Sequence, residues 1–369
     1  MNVVTWAKGL EGVVAAETKI GLVDGTRGLL VYRGEWAREL AVSRSFEETA
    51  YLLWYGVLPK AEELAAFRAR LASYRAMPEH LRRLIDLLPA DQPMMGVVRT
   101  AVSALGDAGF SWPPTVEQAM QLTAVLPSVI AYRYRRLQGL PPVEPFADDP
   151  SVSHAAHYLY LLDGELPSAA HARALDAYLI LTMEHGLNAS TFASRVVAST
   201  ESDLASAVCA GIGAMKGPLH GGAPSEVIAL LEEIGEAVNA EAVLAGKLER
   251  GEKLMGFGHR VYKTMDPRAE ALREVTAGLN GGDPWFDFAL HVEATALRLL
   301  EQYKPGRKLY TNVEFFASAV LKAVRLDPSL FTPTFTASRI VGWTAHVLEQ
   351  AEANRIYRPQ SIYTGATPE

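Results

Sequence analysis

The densest chemistry in the chain lies in Gly256-Phe257-Gly258-His259-Arg260-Val261-Tyr262-Lys263-Thr264-Met265-Asp266-Pro267-Arg268. Glycines let a backbone approach a ligand closely, because they carry no Cβ. His259 follows the turn directly, and an imidazole trades protons near neutral pH. Lys263 offers a point charge suited to a phosphate, and Arg268 a planar fork that matches a carboxylate. Taken alone, the stretch reads equally well as a surface loop with solvated charges.

Two further stretches shift that balance. Lys216-Gly217-Pro218-Leu219-His220-Gly221-Gly222-Ala223 puts an imidazole on a tight turn at a helix entrance. The positive end of the helix dipole there favours a neutral ring, able to donate a hydrogen bond to an oxygen gaining negative charge. Tyr310-Thr311-Asn312-Val313-Glu314-Phe315-Phe316 sets one carboxylate among apolar and aromatic neighbours. Such a setting raises a carboxylate's pKa and makes it a stronger base. Each of these also has a plain structural reading, as a turn histidine and as a helix-edge glutamate. His185, in Met183-Glu184-His185-Gly186-Leu187-Asn188, reads as a helix-end histidine, and Arg339 and Arg358 as surface groups or carboxylate anchors.

The elements that must hold these residues are mostly helical. Thr18 to Val23 and Gly28 to Arg33 flank Asp24-Gly25 as a short hairpin. Beyond it the periodicity is that of helices. Ser45-Phe46-Glu47-Glu48 is a capping box, and Leu64, Phe67, Leu71 and Tyr74 share one face. Helices are expected over Ser168 to His185, Ser190 to Thr200 and Asp203 to Met215, with Gly186 as the C-cap behind His185 and Pro224 opening another helix. Gly139 to Pro150 reads as an exposed loop, and Asn280 to Pro284 and Lys304 to Gly306 as breaks. No regular alternation of strands and helices occurs, which argues against an α/β sheet.

Composition narrows the function classes. With 369 residues, two domains and a large core are possible. A net charge of −7 speaks against nucleic-acid binding, so an anionic substrate must be met by local Arg and Lys. The single cysteine, Cys209, excludes an internal disulfide and a multi-cysteine zinc site, and no metal is expected. No apolar run of ~18 residues suggests a membrane span. The N-terminus resembles neither a secretory signal nor a transit peptide, so a cytoplasmic location is expected.

The three stretches, in this order, resemble the citrate synthase family: Gly217-Pro218-Leu219-His220-Gly221-Gly222, then Gly256-Phe257-Gly258-His259 with Asp266-Pro267-Arg268, then Asn312-Val313-Glu314-Phe315. Gly9-Leu10-Glu11-Gly12-Val13, Tyr32-Arg33-Gly34, Ser45-Phe46-Glu47-Glu48, Tyr51-Leu52-Leu53, the segment from His185 to Thr200, and Arg358-Pro359 extend the likeness over nearly the whole chain. The resemblance implies a mainly α, two-domain, all-helical fold with a short N-terminal β-hairpin. Its large domain would comprise residues 1–219 and 320–369, and its small domain residues 220–319.

It also implies an acyltransferase of the tricarboxylic acid cycle that condenses acetyl-CoA with oxaloacetate and hydrolyses the citryl thioester. Glu314 would be the base, His220 the donor to the enolate and His259 the group polarising the oxaloacetate ketone. His185, Arg268, Arg339 and Arg358 would hold the dicarboxylate. Leu254, Met255, Gly256, Phe257 and Gly258 would face coenzyme A, with Lys263 near its phosphates. No tightly bound cofactor is implied. The start of the chain, close to the shared core, suggests a homodimer without the NADH regulation of longer hexameric relatives, with Arg358 reaching the neighbouring subunit's site. The chain departs from the family at Glu314, where Asp is usual. The extra methylene can move the carboxylate by ~1.5 Å, and ~1 Å of misplacement can cost on the order of a hundredfold in rate. Alternatives are a 2-methylcitrate synthase using propionyl-CoA, a catalytically weak paralogue that senses acyl-CoA or dicarboxylate, and a lyase running in the cleavage direction.

Overall fold

The computed structural model describes residues 6–106, 109–147, 149–221, 223–259, 262, 264–279 and 283–367, with the side chains of 223–225 and 278 left aside. Gly222, Arg260, Val261, Lys263 and residues 280–282, all named above, lie outside the described residues.

The hairpin forms as β1 (Gly21–Asp24) and β2 (Leu29–Tyr32), antiparallel, with Gly21 opposite Tyr32. The Asp24 carboxylate accepts the N–H groups of Thr26 and Arg27 at 3.0 Å and so bends the connection. A third strand not expected from the sequence, β3 (Glu35–Trp36), pairs with β2. Arg33 (φ 50°) and Gly34 (φ 93°) form the two-residue turn between them, and positive φ at both positions is the type I′ signature. An arginine in the first of those positions hides the signal.

Sixteen α-helices follow among the described residues. The first six are α1 (Ala37–Ser43), α2 (Phe46–Tyr55), α3 (Ala61–Ser73), α4 (Glu79–Leu87), α5 (Met94–Leu105) and α6 (Val116–Leu137). Next come α7 (His154–Asp163), α8 (Ala169–Thr182), α9 (Ala189–Ala198), α10 (Leu204–Met215) and α11 (Ala223–Ile234). The last are α12 (Ala240–Glu249), α13 (Pro267–Val275), α14 (Pro284–Tyr303), α15 (Val313–Ala323) and α16 (Phe331–Glu352). The mainly helical architecture and the hairpin agree with the sequence reading. The Ser45–Glu48 capping box closes in both directions, at 3.3 and 2.9 Å.

One boundary differs. Helix α8 stops at Thr182, three residues before the expected end at His185, and Gly186 (φ 62°) lies in a loop and is no C-cap. One tertiary and one local bond displace the helix pattern: Arg339 Nε donates to the Thr182 carbonyl at 2.7 Å, and the Glu184 side chain accepts the Gly186 N–H at 2.5 Å. Asn188 then starts α9, its Oδ1 accepting the N–H groups of Ser190 and Thr191 at 3.1 Å.

Helix α16 is the axis of the core. Phe331 and Trp343 on it are fully buried, and it packs against α2, α5, α6, α8, α9 and α10. Helices α11 to α15 pack on one another, while α13 leans on α1 and α8, and α15 on α8. The end of α8, the start of α15 and the middle of α16 therefore converge. Among the described residues, no helix is long and apolar enough to cross a membrane.

Candidate active site

Helix α15 begins where two loops are sewn together. Gly258 N–H donates to the Tyr310 carbonyl at 2.7 Å, and Asn312 N–H to the Gly256 carbonyl at 2.9 Å. Asn312 Nδ2 reaches the Gly258 carbonyl at 2.8 Å, while its Oδ1 caps α15 by accepting Phe315 N–H at 3.3 Å. The histidine turn and the Glu314 helix are thus one rigid unit. The glycines have a local reason here. Gly256 (φ 89°) and Gly258 (φ 82°) take left-handed backbone, and a Cβ on Gly256 would stand 2.9 Å from Phe315. Leu254 is buried, and Met255 and Phe257 pack against the core.

Asp266 ties the unit to Arg268. It caps α13 through Arg268 N–H at 3.0 Å, pairs with Arg268 Nε at 3.0 Å and Nη2 at 2.9 Å, and accepts Val313 N–H at 3.1 Å. Pro267 at the first helical position suits that start. Burial works against the Arg268 charge, but Asp266 and Tyr262 outweigh it and hold the guanidinium firmly charged. The Asp-Pro-Arg motif carried this signal, although the sequence reading gave a role to Arg268 and none to Asp266.

The three histidines have distinct settings. His259 Nδ1 faces the Tyr262 N–H at 3.0 Å. Arg268 Nη2 directs an N–H at Nε2, 3.2 Å away, so donors stand at both ring nitrogens, and a neutral imidazole accepts from only one of them. His185 Nε2 meets the Tyr262 hydroxyl at 3.1 Å, and its ring lies 6.4 Å from that of His259. Burial, then Arg268 and Arg339, hold His185 well below its ordinary pKa, so it is neutral at pH 7.

His220 Nε2 lies 2.7 Å from Ser190 Oγ, which also takes Trp343 Nε1–H at 3.0 Å and stands 2.7 Å from Asn188 Oδ1. The serine has one proton, and it goes to Asn188 Oδ1, an oxygen that only accepts. His220 Nε2–H therefore donates to Ser190 Oγ in this structure, and a proton on Nδ1 requires the serine hydroxyl to turn from Asn188 to His220. The sequence assigned neutral His220 to a helix dipole. In the structure its pKa is lowered by burial and, next, by Arg339. Ser190 was legible only as part of a segment, because its partners arrive from distant elements.

Glu314 Oε2 is shut from solvent and has no hydrogen-bond partner among the described residues. Burial raises its pKa, partly opposed by Arg268, as the apolar sequence context predicts. A cavity of about 50 Å³ lies between Glu314, His220 and Arg268, walled by Tyr178, Thr182, Val313, Ala317 and Phe335. Arg339 lies over Phe335, 4.8 Å from the ring centroid, and among the described residues hydrogen-bonds only through Nε. Its terminal nitrogens remain for a ligand. Burial lowers its pKa, countered chiefly by the charge of Glu184.

The structure therefore brings His185, His220, His259, Arg268, Glu314 and Arg339 into one neighbourhood. Arg358 stays apart. It is exposed, just beyond Tyr357, which docks on α9 through Ser199 Oγ at 3.1 Å and the Phe192 ring. Lys263 cannot be placed, since it lies outside the described residues. Among the described residues, no three His, Cys, Asp or Glu side chains are grouped to hold a metal ion.

The family described as "Citrate synthase, C-terminal domain" matches residues 9–360. A 2-methylcitrate synthase of Shewanella oneidensis is 41% identical over 362 residues, covering 98% of this chain and 95% of that protein. A citrate synthase of Haloferax volcanii is 40% identical over 371 residues, covering 97% and 95%. The structure superposes with a TM-score of 0.88 on citrate synthase from Thermoplasma acidophilum, solved as a ternary complex with carboxymethyl coenzyme A and oxaloacetate; identity is 30% and coverage 99% and 97%.

Proposed function

The chain belongs to the citrate synthase family and is an acyltransferase of that type, and from this premise we propose that it condenses acetyl-CoA with oxaloacetate to give citrate and free coenzyme A. The observation that carries the reading is Glu314 Oε2, a buried and unpartnered carboxylate oxygen facing the same small cavity as His220 and Arg268. A thioester methyl group is a very weak acid. Removing its proton needs a base and a donor to the forming enolate at once.

Glu314 takes the methyl proton; the Ser190 hydroxyl turns from Asn188 to donate to His220 Nε2, so that His220 Nδ1–H donates to the thioester oxygen. His259 polarises the oxaloacetate ketone, and the enolate carbon attacks it. Arg268, Arg339 and His185 hold the dicarboxylate. Water then hydrolyses the citryl thioester. Coenzyme A lies along Leu254 to Gly258, with Lys263 near its phosphates. Residues 220–319 act as a small domain that closes on residues 1–219 and 320–369 and excludes water. The protein works in the cytoplasm as a homodimer, with Arg358 completing the neighbouring site.

Propionyl-CoA, giving 2-methylcitrate, is the competing acyl donor, and a relative of that name is as similar as those named citrate synthase. One methyl group in an apolar pocket is worth only about 1–3 kcal/mol. The test is thiol release with oxaloacetate and each acyl-CoA in turn. The expected result is release only when both substrates are present, with acetyl-CoA preferred. Binding of oxaloacetate without turnover of either thioester overturns the enzyme reading.

A further inference from the structure

Behind the dicarboxylate anchors lies a polar chain that the reaction above does not use. Glu184, the residue before His185, is fully buried. Its Oε1 accepts the Gly186 N–H at 2.5 Å and meets His346 Nε2 at 3.1 Å. His346 Nδ1 lies 3.0 Å from Arg195 Nη1. An arginine only donates, so Nδ1 accepts and Nε2–H donates to Glu184. Arg195 is held in turn by Glu349 at 2.8 Å and Gln350 at 3.1 Å.

The carboxylate sits between two glycines. A Cβ on Gly21 would stand 2.9 Å from Glu184 Oε1, and one on Gly342 2.7 Å from Oε2 and against the Met183 carbonyl. The Tyr32 hydroxyl also donates to the Glu184 carbonyl at 2.9 Å. The segment 182–186 is thus fixed to the hairpin on one side and to α16 on the other. That segment holds both His185 and the Thr182 carbonyl that Arg339 Nε uses.

We propose that Glu184, locked by His346 and Arg195, is a positioning residue for the dicarboxylate: it fixes the exit of α8 against α16 and so aims His185 and Arg339. The inference rests on the reading of those two residues as oxaloacetate anchors. It makes oxaloacetate binding, and not acyl-CoA binding, the quantity the network controls. A buried carboxylate that accepts two hydrogen bonds and is wedged between glycines holds a backbone more firmly than packing alone.

Three variants test it: Gly342→Ala, His346→Leu and His346→Gln, with the Michaelis constants of both substrates and the melting temperature measured. Gly342→Ala presses on the Met183 carbonyl and the Glu184 carboxylate together, while Ala favours a helix interior by about 1 kcal/mol over Gly, so a weaker helix does not explain a defect; the His346 pair then separates the carboxylate link from the backbone contact. His346→Leu breaks the link. His346→Gln restores it, because its amide donates to Glu184 and accepts from Arg195. The expected result is a rise in the oxaloacetate KM of about tenfold or more for Gly342→Ala and His346→Leu, with the acyl-CoA KM within about twofold, and near-normal behaviour for His346→Gln. An unchanged oxaloacetate KM in Gly342→Ala, parallel rises in both constants, or a Gln variant as defective as Leu overturns the proposal. If His346→Leu does not fold, Gly342→Ala and His346→Gln decide. Wild-type protein that binds no oxaloacetate in a direct titration overturns the dicarboxylate reading itself, and this proposal with it; normal wild-type binding with unchanged variants overturns the proposal alone.

Discussion

Asp266 holds Arg268 by two side-chain bonds, 3.0 Å to Nε and 2.9 Å to Nη2, and with the same carboxylate accepts the Val313 N–H at the start of the Glu314 helix. One buried acid therefore sets the position of Arg268 relative to Glu314. Asp266→Asn keeps the shape but removes the charge, leaving Arg268 buried with no ion partner among the described residues. Breaking such a pair costs about 3–5 kcal/mol. The expected outcome is a loss of about that size in denaturant stability, together with a raised oxaloacetate KM. Stability within about 1 kcal/mol of wild type would show that the pair contributes little.

Glu314 as base makes two demands. Glu314→Gln should lower turnover by at least ~10²-fold with little change in oxaloacetate binding, in the range of general-base catalysis. The pH profile supplies the sign. The base works only when charged, and burial raises its pKa, so the acid limb of the rate should lie above the ordinary carboxylate value of about 4.3. His220 and His185 are shifted the other way, below the ordinary imidazole value, chiefly by burial. A limb at or below the ordinary value would mean that another group takes the proton.

The length of Glu314 is open to a sharper test. Asn312 fixes the start of α15 to the Gly256–Gly258 turn, so the backbone cannot move toward the cavity to compensate for a shorter side chain. Glu314→Asp should withdraw the carboxylate by about 1.5 Å and slow turnover by on the order of a hundredfold. Equal or faster turnover would show that the site is not adapted to glutamate.

Much of this was legible in the chain, and the reasons differ by residue. His259, Arg268 and Glu314 stand out in the sequence because glycine turns, an Asp-Pro step and apolar flanks are local signals. The Ser45 capping box was found for the same reason. Ser190, Tyr262, Asp266 and Glu184 were not assigned, since their partners come from 30 or more residues away or from bonds visible only once the turn is built. The end of α8 was misplaced because Arg339, which is 157 positions distant, takes its last carbonyl. Local rules read what a helix does by itself, and tertiary bonds override them at the site.

A second region makes stability depend on pH. His154 and His157 are buried, with both ring nitrogens of each unpartnered among the described residues. His154 stacks on Phe46 at 4.3 Å, and burial, then Arg75, push its pKa down to about 3. Between its ordinary value near 6.5 and about 3, the unfolded chain binds a proton that the folded chain refuses. Stability attributable to this group is therefore full above that window and falls as pH drops through it. His154→Phe keeps the stack and removes the titration. Its stability should lose about 1.4 kcal/mol per pH unit less than wild type between roughly pH 6 and 4, measured by urea midpoints. Parallel curves would show that His154 finds a proton acceptor in the folded protein.

Arg358 gives the last test, of a contact that one chain does not contain. The side chain is exposed, while the residue before it is docked on α9. A dicarboxylate with an enolate forming beside it calls for more positive charge than Arg268 and Arg339 supply, because Arg268 is already paired with Asp266. Pro359 limits the backbone just beyond Arg358. If Arg358 enters the neighbouring site, Arg358→Ala should weaken oxaloacetate binding by at least about tenfold, as expected when a buried carboxylate loses a charged partner. His259→Ala should be inactive by itself. In a mixed dimer of the two, one site carries both defects and the other carries none, so activity should return on subunit exchange toward half of wild type per dimer. If Arg358 acts within its own chain, each site in the mixed dimer keeps one defect and nothing is recovered. Verified heterodimers without activity would therefore return Arg358 to its own subunit.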